Sequence, residues 1–335
     1  MQRLFDVVEH KAVKILTKGK ARRLLAATTK VKRTFWGEVR GWADALVFAV
    51  FAVLLINQYL FQLFVIPSPS MVSTLNVGDR VFVSKTIYGI EVYPGGPKVL
   101  SANRQVSRDQ IITFYNPEYV SRGPIFDILS QILYMGTFSL VNIDRKDDGS
   151  IAERLYVKRA VGLPGETVRF TDGKVLIRAA GGNEWIEEKK FRSDLGLVNG
   201  PHRSVDDTLY PGIRAWGALY GYQEAGLDLQ NVPTYLKNDY ALVAQDNYPD
   251  DVYAFEESQK RTESLLDPSA FETRSQWASY ERGIYVPENH ILPLGDNRDN
   301  SRDGRYFGPV SQKKINGSVR LRFWPLGRIA YLGNK

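Results

Sequence analysis

ETVRFTDGKVLIRA, Glu166 to Ala179, carries the pattern that decides the fold class. Two runs of β-branched, aromatic and aliphatic residues flank Asp172-Gly173, a dipeptide suited to the two-residue turn of a β-hairpin. The same texture extends outward through VGDRVFVSKTIYGI (77–90), QIITFYNP (110–117), RLYVKRAVG (154–162) and GSVRLRF (317–323), each bounded by Gly, Pro, Asn or Asp. Short strands with turn signals between them predict a mainly β, antiparallel architecture rather than alternating βαβ units. Residues 184–285 break the pattern. They are richer in charge, Tyr and turn residues and read as an inserted smaller domain, to which the residues assign no chemistry.

Upstream of the β region, Ala45 to Ile66 (ALVFAVFAVLLINQYLFQLFVI) runs 22 residues without a charge. At about 1.5 Å per helical residue this crosses the roughly 30 Å hydrocarbon core of a bilayer. Residues 1–40 hold 11 Lys/Arg against 3 Asp/Glu, out of totals of 44 and 37, leaving 33 basic and 34 acidic residues from 41 onward. The net charge of +7 is therefore local to the leader. It gives no compositional support to a nucleic-acid surface on the folded part, and it predicts a cytoplasmic N-terminus with all that follows the span outside. The leader and the apolar run are both too long for a cleavable secretory signal, and no small-residue cleavage site follows. A second apolar stretch, Ile125 to Val141, is short and contains Asp127; it fits a second span, an interfacial helix or a buried helix.

The chain has no cysteine and three histidines, His10, His202 and His290. Thiol catalysis, cysteine zinc sites and disulfides are excluded. A histidine-centred triad would have to use His202 or His290, since His10 lies in the leader. A different base is available. Lys158 lies in an apolar strand pattern beside Val157, with Ala160 and Val161 beyond Arg159. Desolvation there penalises the ammonium, and a neutral amine can take a proton from a serine hydroxyl. By itself the position also fits a strand lysine whose head reaches solvent. Arg159 cannot serve as a base, because guanidinium does not deprotonate in proteins. Ser70, in IPSPSMVSTL (66–75), is a small nucleophile held between residues that restrict the backbone, Pro67 and Pro69, though such a segment equally fits a plain loop.

Four segments in order, IPSPSMVSTL (66–75), GDRVFVSK (78–85), RLYVKRAVGLPGETV (154–168) and GDNRDNSRDGRYFGPV (295–310), resemble the conserved boxes of bacterial type I signal peptidases. A calcium loop is the rival reading of 295–305, but no glutamate closes it and arginines intrude. The resemblance implies a Ser/Lys endopeptidase that cuts signal peptides from exported preproteins after small residues, of Ala-x-Ala type, with neither metal nor cofactor. It implies Ser70 as nucleophile, Lys158 as general base, and an oxyanion hole from Ser68 and the Ser70 N–H. It further implies that Ser301 helps hold the lysine amine, that Asp303 and Arg305 form a supporting ion pair, and that Asp296 and Asn297 belong to the same scaffold. Phe64, Ile66, Pro67, Met71, Leu75, Tyr156 and Val157 would line the substrate pockets. The division expected is a basic leader (1–42), a transmembrane anchor (43–66), a catalytic β domain (67–183 and 286–335) and the insertion (184–285). The anchor would sit in the cytoplasmic membrane, with the catalytic domain on its outer, periplasmic side, and Ser70 only four residues past the apolar run. Ser73 and Gly304 depart from the family pattern, which usually has proline and serine there.

Overall fold

The computed structural model describes residues 35–99, 105–136, 141–145, 149–150, 152–197 and 200–333, together with Lys14. Most of the basic leader lies outside these described residues. Two compact units divide the chain, Met1–Ala52 and Val53–Lys335, and the second carries both main sheets and the insertion.

The apolar run does not stay helical to its end. Helix α1 spans Phe35–Tyr59, so it begins and ends earlier than the 43–66 anticipated from hydropathy. Phe61–Val65 instead forms strand β1, paired antiparallel with β2 (Arg80–Ser84) in the register Phe61↔Ser84 to Val65↔Arg80. Hydropathy cannot separate these two states. FQLFV is as apolar as the helix before it, yet β2 offers an open edge and pairing satisfies both backbones. The principal β body thus begins at Phe61 rather than at 67. Among the described residues α1 alone is long and apolar enough to cross a membrane. The second apolar stretch yields a 13-residue helix, α2 (Pro124–Gly136), too short to span; residues 137–140 of that stretch lie outside the described set.

The main sheet has eight strands, all paired antiparallel. Besides β1 and β2 it contains β5 (Ile111–Tyr115), β6 (Leu155–Gly162), β11 (His290–Leu294), β12 (Val310–Ser311), β13 (Ile315–Trp324) and β14 (Ala330–Tyr331). Its order is β1-β2-β13-β5-β6-β11-β12, with β14 on β13. Two residues each, β3 (Ile90–Glu91) and β4 (Lys98–Val99), make a separate short ladder. A four-stranded sheet holds the hairpin of the opening segment: β7 (Thr167–Thr171) and β8 (Lys174–Arg178), flanked by β10 (Ile284–Tyr285) and β9 (Trp185–Glu187). Its turn has positive φ at both Asp172 (45°) and Gly173 (68°), which matches the right-handed strand twist.

The insertion is less separate than its composition suggests. Its first residues supply β9, its last supply β10, and helices α3 (Glu188–Asp194), α4 (Tyr210–Glu224), α5 (Thr234–Tyr240), α6 (Val252–Leu266) and α7 (Phe271–Arg282) lie between. Tyr210, Ile213, Val243 and Ala254 form a small core of their own there.

Strand β6 sits centrally, between β5 and β11, and is buried from Lys158 through Gly162. Successive strand residues point to opposite faces, so Lys158 and Arg159 are both buried cations facing opposite ways, and each needs its own compensation.

Candidate active site

Ser70 lies in a single 3₁₀ turn, Pro69–Met71, that follows β1. Val72 N–H donates to Pro69 O (3.0 Å) and Leu75 N–H to Met71 O (2.7 Å), closing the turn on itself. Met71, Leu75 and Ile66 fasten it from below, packed with Val81, Val83, Ile111 and Val319. Lys158 stands opposite Ile112 in the β5–β6 ladder, and its Nζ reaches to 2.7 Å from Ser70 Oγ. The lysine is only 3% exposed. Burial pushes its pKa down from 10.5 to about 8, more than Asp303, Glu153 and Asp296 pull it up. Ser68 Oγ lies 3.5 Å from Ser70 Oγ.

Behind this pair the 295–305 segment clamps the turn. Asn297 N–H donates to Ser70 O (3.0 Å), and Asn297 Nδ2 donates to Pro69 O (3.2 Å). Asp303, fully buried, accepts from Gly295 N–H (2.9 Å) and from Arg305 Nε (2.9 Å). Burial alone would raise the Asp303 carboxyl, but the Arg305 guanidinium holds it below its ordinary value. The expected Asp303–Arg305 ion pair is thus present. Ser301 behaves differently. Its Oγ is buried but has no hydrogen-bond partner among the described residues, so no grip on the lysine amine is made.

Ser301 packs instead against Gly295. A Cβ at Gly295 would come within 2.1 Å of Ser301 Oγ and 2.6 Å of Ser70 O. Gly295→Ala is accordingly expected to push the Ser70 backbone and lower turnover about 10²-fold, with a melting temperature shifted by only a few degrees. Turnover of a cleavable peptide measured beside a thermal melt checks it, and an unaltered rate would refute it. Gly304 is equally confined, since a Cβ there would meet Leu292 Cδ1 at 2.7 Å and Pro293 O at 2.8 Å. This packing leaves no room for a serine at that position.

The counterion of Arg159 is the feature that sequence reasoning missed. Its Nε and one terminal nitrogen donate to both oxygens of Asp296 (2.7 and 2.6 Å), while the other terminal nitrogen donates to Asp109 O (2.9 Å). Thr74 Oγ1 completes the shell at 3.2 Å. Asp296 is fully buried; burial would raise its carboxyl, and Arg159 holds it low. The insertion joins in. Arg298 donates to both oxygens of Glu188 on α3 (2.7 and 2.8 Å), Arg192 pairs with Asp109, and His202 N–H donates to Asp296 O (2.7 Å). Ser73, in the usual proline position, donates weakly to Gly200 O of the insertion (3.4 Å). A signal was available: two adjacent cations in one apolar strand demand buried acceptors on both faces. In 295–305 each carboxylate faces an arginine: Asp296 Arg159, Asp299 Arg203 and Asp303 Arg305. A calcium loop does not fit that arrangement.

Of the expected pocket residues, Phe64, Pro67, Tyr156 and Val157 keep accessible surface near the pair, whereas Ile66, Met71 and Leu75 are core supports at 3% exposure or less. Tyr156 stacks on Phe307 with ring centres 6.0 Å apart.

The signal peptidase, peptidase S26, family model matches residues 39–324. The chain belongs to that family. It is 24% identical over 306 residues to signal peptidase I of Buchnera aphidicola from Schizaphis graminum, covering 85% of this chain and 78% of the relative. Signal peptidase I of Helicobacter pylori is 25% identical, with 87% and 84% covered, and that of Pseudomonas aeruginosa 27%, with 81% and 64% covered. The chain is therefore a serine peptidase of the signal peptidase class, acting in signal peptide cleavage. In this signal peptidase Ser70 Oγ and Lys158 Nζ lie within hydrogen-bond reach of each other.

Proposed function

We propose that this signal peptidase works through a Ser70/Lys158 dyad and cuts exported preproteins after small residues, and the 2.7 Å contact to a buried, readily neutralised lysine carries the reading. Ser70 Oγ attacks the scissile carbonyl while neutral Lys158 accepts its proton, then passes that proton to the leaving amine. Water, deprotonated by the same lysine, releases the acyl group from Ser70. The Ser70 N–H and the Ser68 hydroxyl meet the developing oxyanion, a kind of contact worth roughly 3–4 kcal/mol of barrier. Asn297 Nδ2 holds Pro69 O, the carbonyl of the peptide unit that carries the Ser70 N–H, so that this N–H keeps one orientation. Phe64, Pro67, Tyr156 and Val157 form the walls that the residues before the cut would meet, supported from beneath by Ile66, Met71 and Leu75.

The substrate is the signal peptide of a preprotein presented at a lipid bilayer. α1 anchors the chain there, in the cytoplasmic membrane, with the basic leader inside and the β body on the periplasmic side. Ser70 follows α1 by one strand rather than directly. Exposed Leu63, Val65, Trp324 and Leu326 suit a body that rests near lipid.

The reading is tested with full-length protein in detergent and a peptide bearing an Ala-x-Ala site. Because the base must be neutral, activity rises with pH through about 8 and falls below it in proportion to the protonated fraction. The cut follows the second alanine, and bulky residues at either alanine position abolish it. A flat profile from acid to alkaline pH would remove the lysine base from consideration.

A further inference from the structure

Helix α2 is built inside out. Its apolar residues Ile125, Ile128, Leu129 and Ile132 recur at the three- and four-residue spacing of one helical face. That face is turned outward: Ile125 is 77% and Leu129 51% exposed. The opposite, polar face is the one packed on the protein, with Asp127 and Ser130 at 7% and 5%. The inversion is held by specific contacts. Asp127 forms an ion pair with the Arg154 guanidinium (3.0 Å) and accepts from Ser121 Oγ (2.7 Å), while Arg154 Nε donates to Asp144 (2.8 Å). In water such a helix leaves its hydrocarbon face uncompensated, so an apolar surface must lie against it.

The position of α2 indicates which one. Ser130, Gln131 and Tyr134 line a cleft of about 170 Å³ together with Gln62 of β1, three residues after the last helical residue of α1. The end of α1 is itself tied to the body, by Gln58 Nε2 donating to Glu91 O (3.1 Å). The helix is thus next to the point where the chain leaves its apolar span. Arg122 stacks over Phe126 at 5.3 Å, and Arg145 accepts from it through its carbonyl (2.8 Å), placing two exposed cations at the start of the helix. Apolar face out, cations at its end and a nearby span are what an interfacial helix presents to anionic lipid.

We propose that α2 lies in the lipid headgroup region as a second membrane contact, its Ile125–Ile132 face buried in the bilayer surface without crossing it. This rests on α1 spanning the membrane. The occupant is the bilayer rather than another protein, because the helix shares a cleft with Gln62, just past the end of α1, and carries exposed Arg122 and Arg145 at its start. Through Asp127 and Arg154 the contact reaches the residue immediately before β6, the strand that bears Lys158.

The absence of cysteine makes single-site labelling clean. Full-length Leu129→Cys, Val47→Cys and Tyr235→Cys proteins, each carrying an environment-sensitive fluorophore, are reconstituted in phosphatidylcholine–phosphatidylglycerol vesicles. Val47 reports on α1, and Tyr235, 62% exposed on the insertion, is the water-facing reference. Lipid brominated high on its acyl chains is expected to quench the label at 129 by roughly half, and more than lipid brominated near the chain ends, as suits an interfacial depth. The label at 47 is quenched as well, and aqueous iodide quenches only the label at 235. If 47 responds to brominated lipid while 129 responds to iodide alone, the inference is overturned and the span stands. If 129 is shielded from both quenchers, a protein surface covers it, and the inference is likewise overturned. If neither 47 nor 129 senses lipid, the span and the inference fall together.

Discussion

Ser70→Ala and Lys158→Met are each expected to lower kcat/KM on an Ala-x-Ala peptide by about 10⁴-fold or more, and the double variant no further than either alone. Non-additivity follows from the geometry: with Nζ 2.7 Å from Oγ, either group without the other leaves no activated nucleophile. Lys158→Arg should not rescue, because guanidinium keeps its proton. Stability moves the opposite way. Lys158 is buried where its charge is disfavoured, so at pH 7 an apolar methionine of similar volume should leave the melting temperature unchanged or raise it. Lost activity with retained or improved stability separates a base from a structural lysine. Cleavage that survives either substitution, or singles whose losses multiply in the double, would sink the dyad.

Arg159→Met is expected to act in the reverse sense, through the fold. Asp296 would keep a buried carboxylate with its bidentate partner gone, a change of a kind that costs about 3–5 kcal/mol. The loss should appear in the urea midpoint of the full chain in detergent, and activity should fall with it, since Asp296 precedes the Asn297 N–H that holds Ser70. Pairing the substitution with Asp296→Leu removes the stranded charge and should recover much of the midpoint without restoring the rate. A single variant that unfolds at the parent's midpoint would show that the pair contributes nothing.

Much of this was legible in the residues. The Asp172-Gly173 hairpin and the antiparallel class follow from local chemistry, the pairing of Asp303 with Arg305 is what the family resemblance implies, and the structure contains each of them. Three features were not legible, for different reasons. The end of α1 depends on a strand edge offered by Arg80–Ser84, which hydropathy cannot see. The insertion's part in the site depends on Glu188 and Arg192 meeting Arg298 and Asp109 across long chain separations, and charge-rich composition gives no hint of such partners. Ser301 carries a hydroxyl that the family motif implied would face the amine, whereas here it fills the space that Gly295 leaves open.

The strand that replaces the far end of the apolar run also bears on where the chain can be cut. Hydropathy invites a soluble protease starting at residue 67, just past the last apolar residue. Such a fragment would lose Phe61–Val65 and strip one side of Arg80–Ser84, leaving a row of unsatisfied N–H and C=O groups ready to pair with a neighbouring molecule. The workable boundary for a catalytic fragment falls ahead of Phe61, and a preparation begun at 67 should precipitate where one begun a few residues earlier stays in solution.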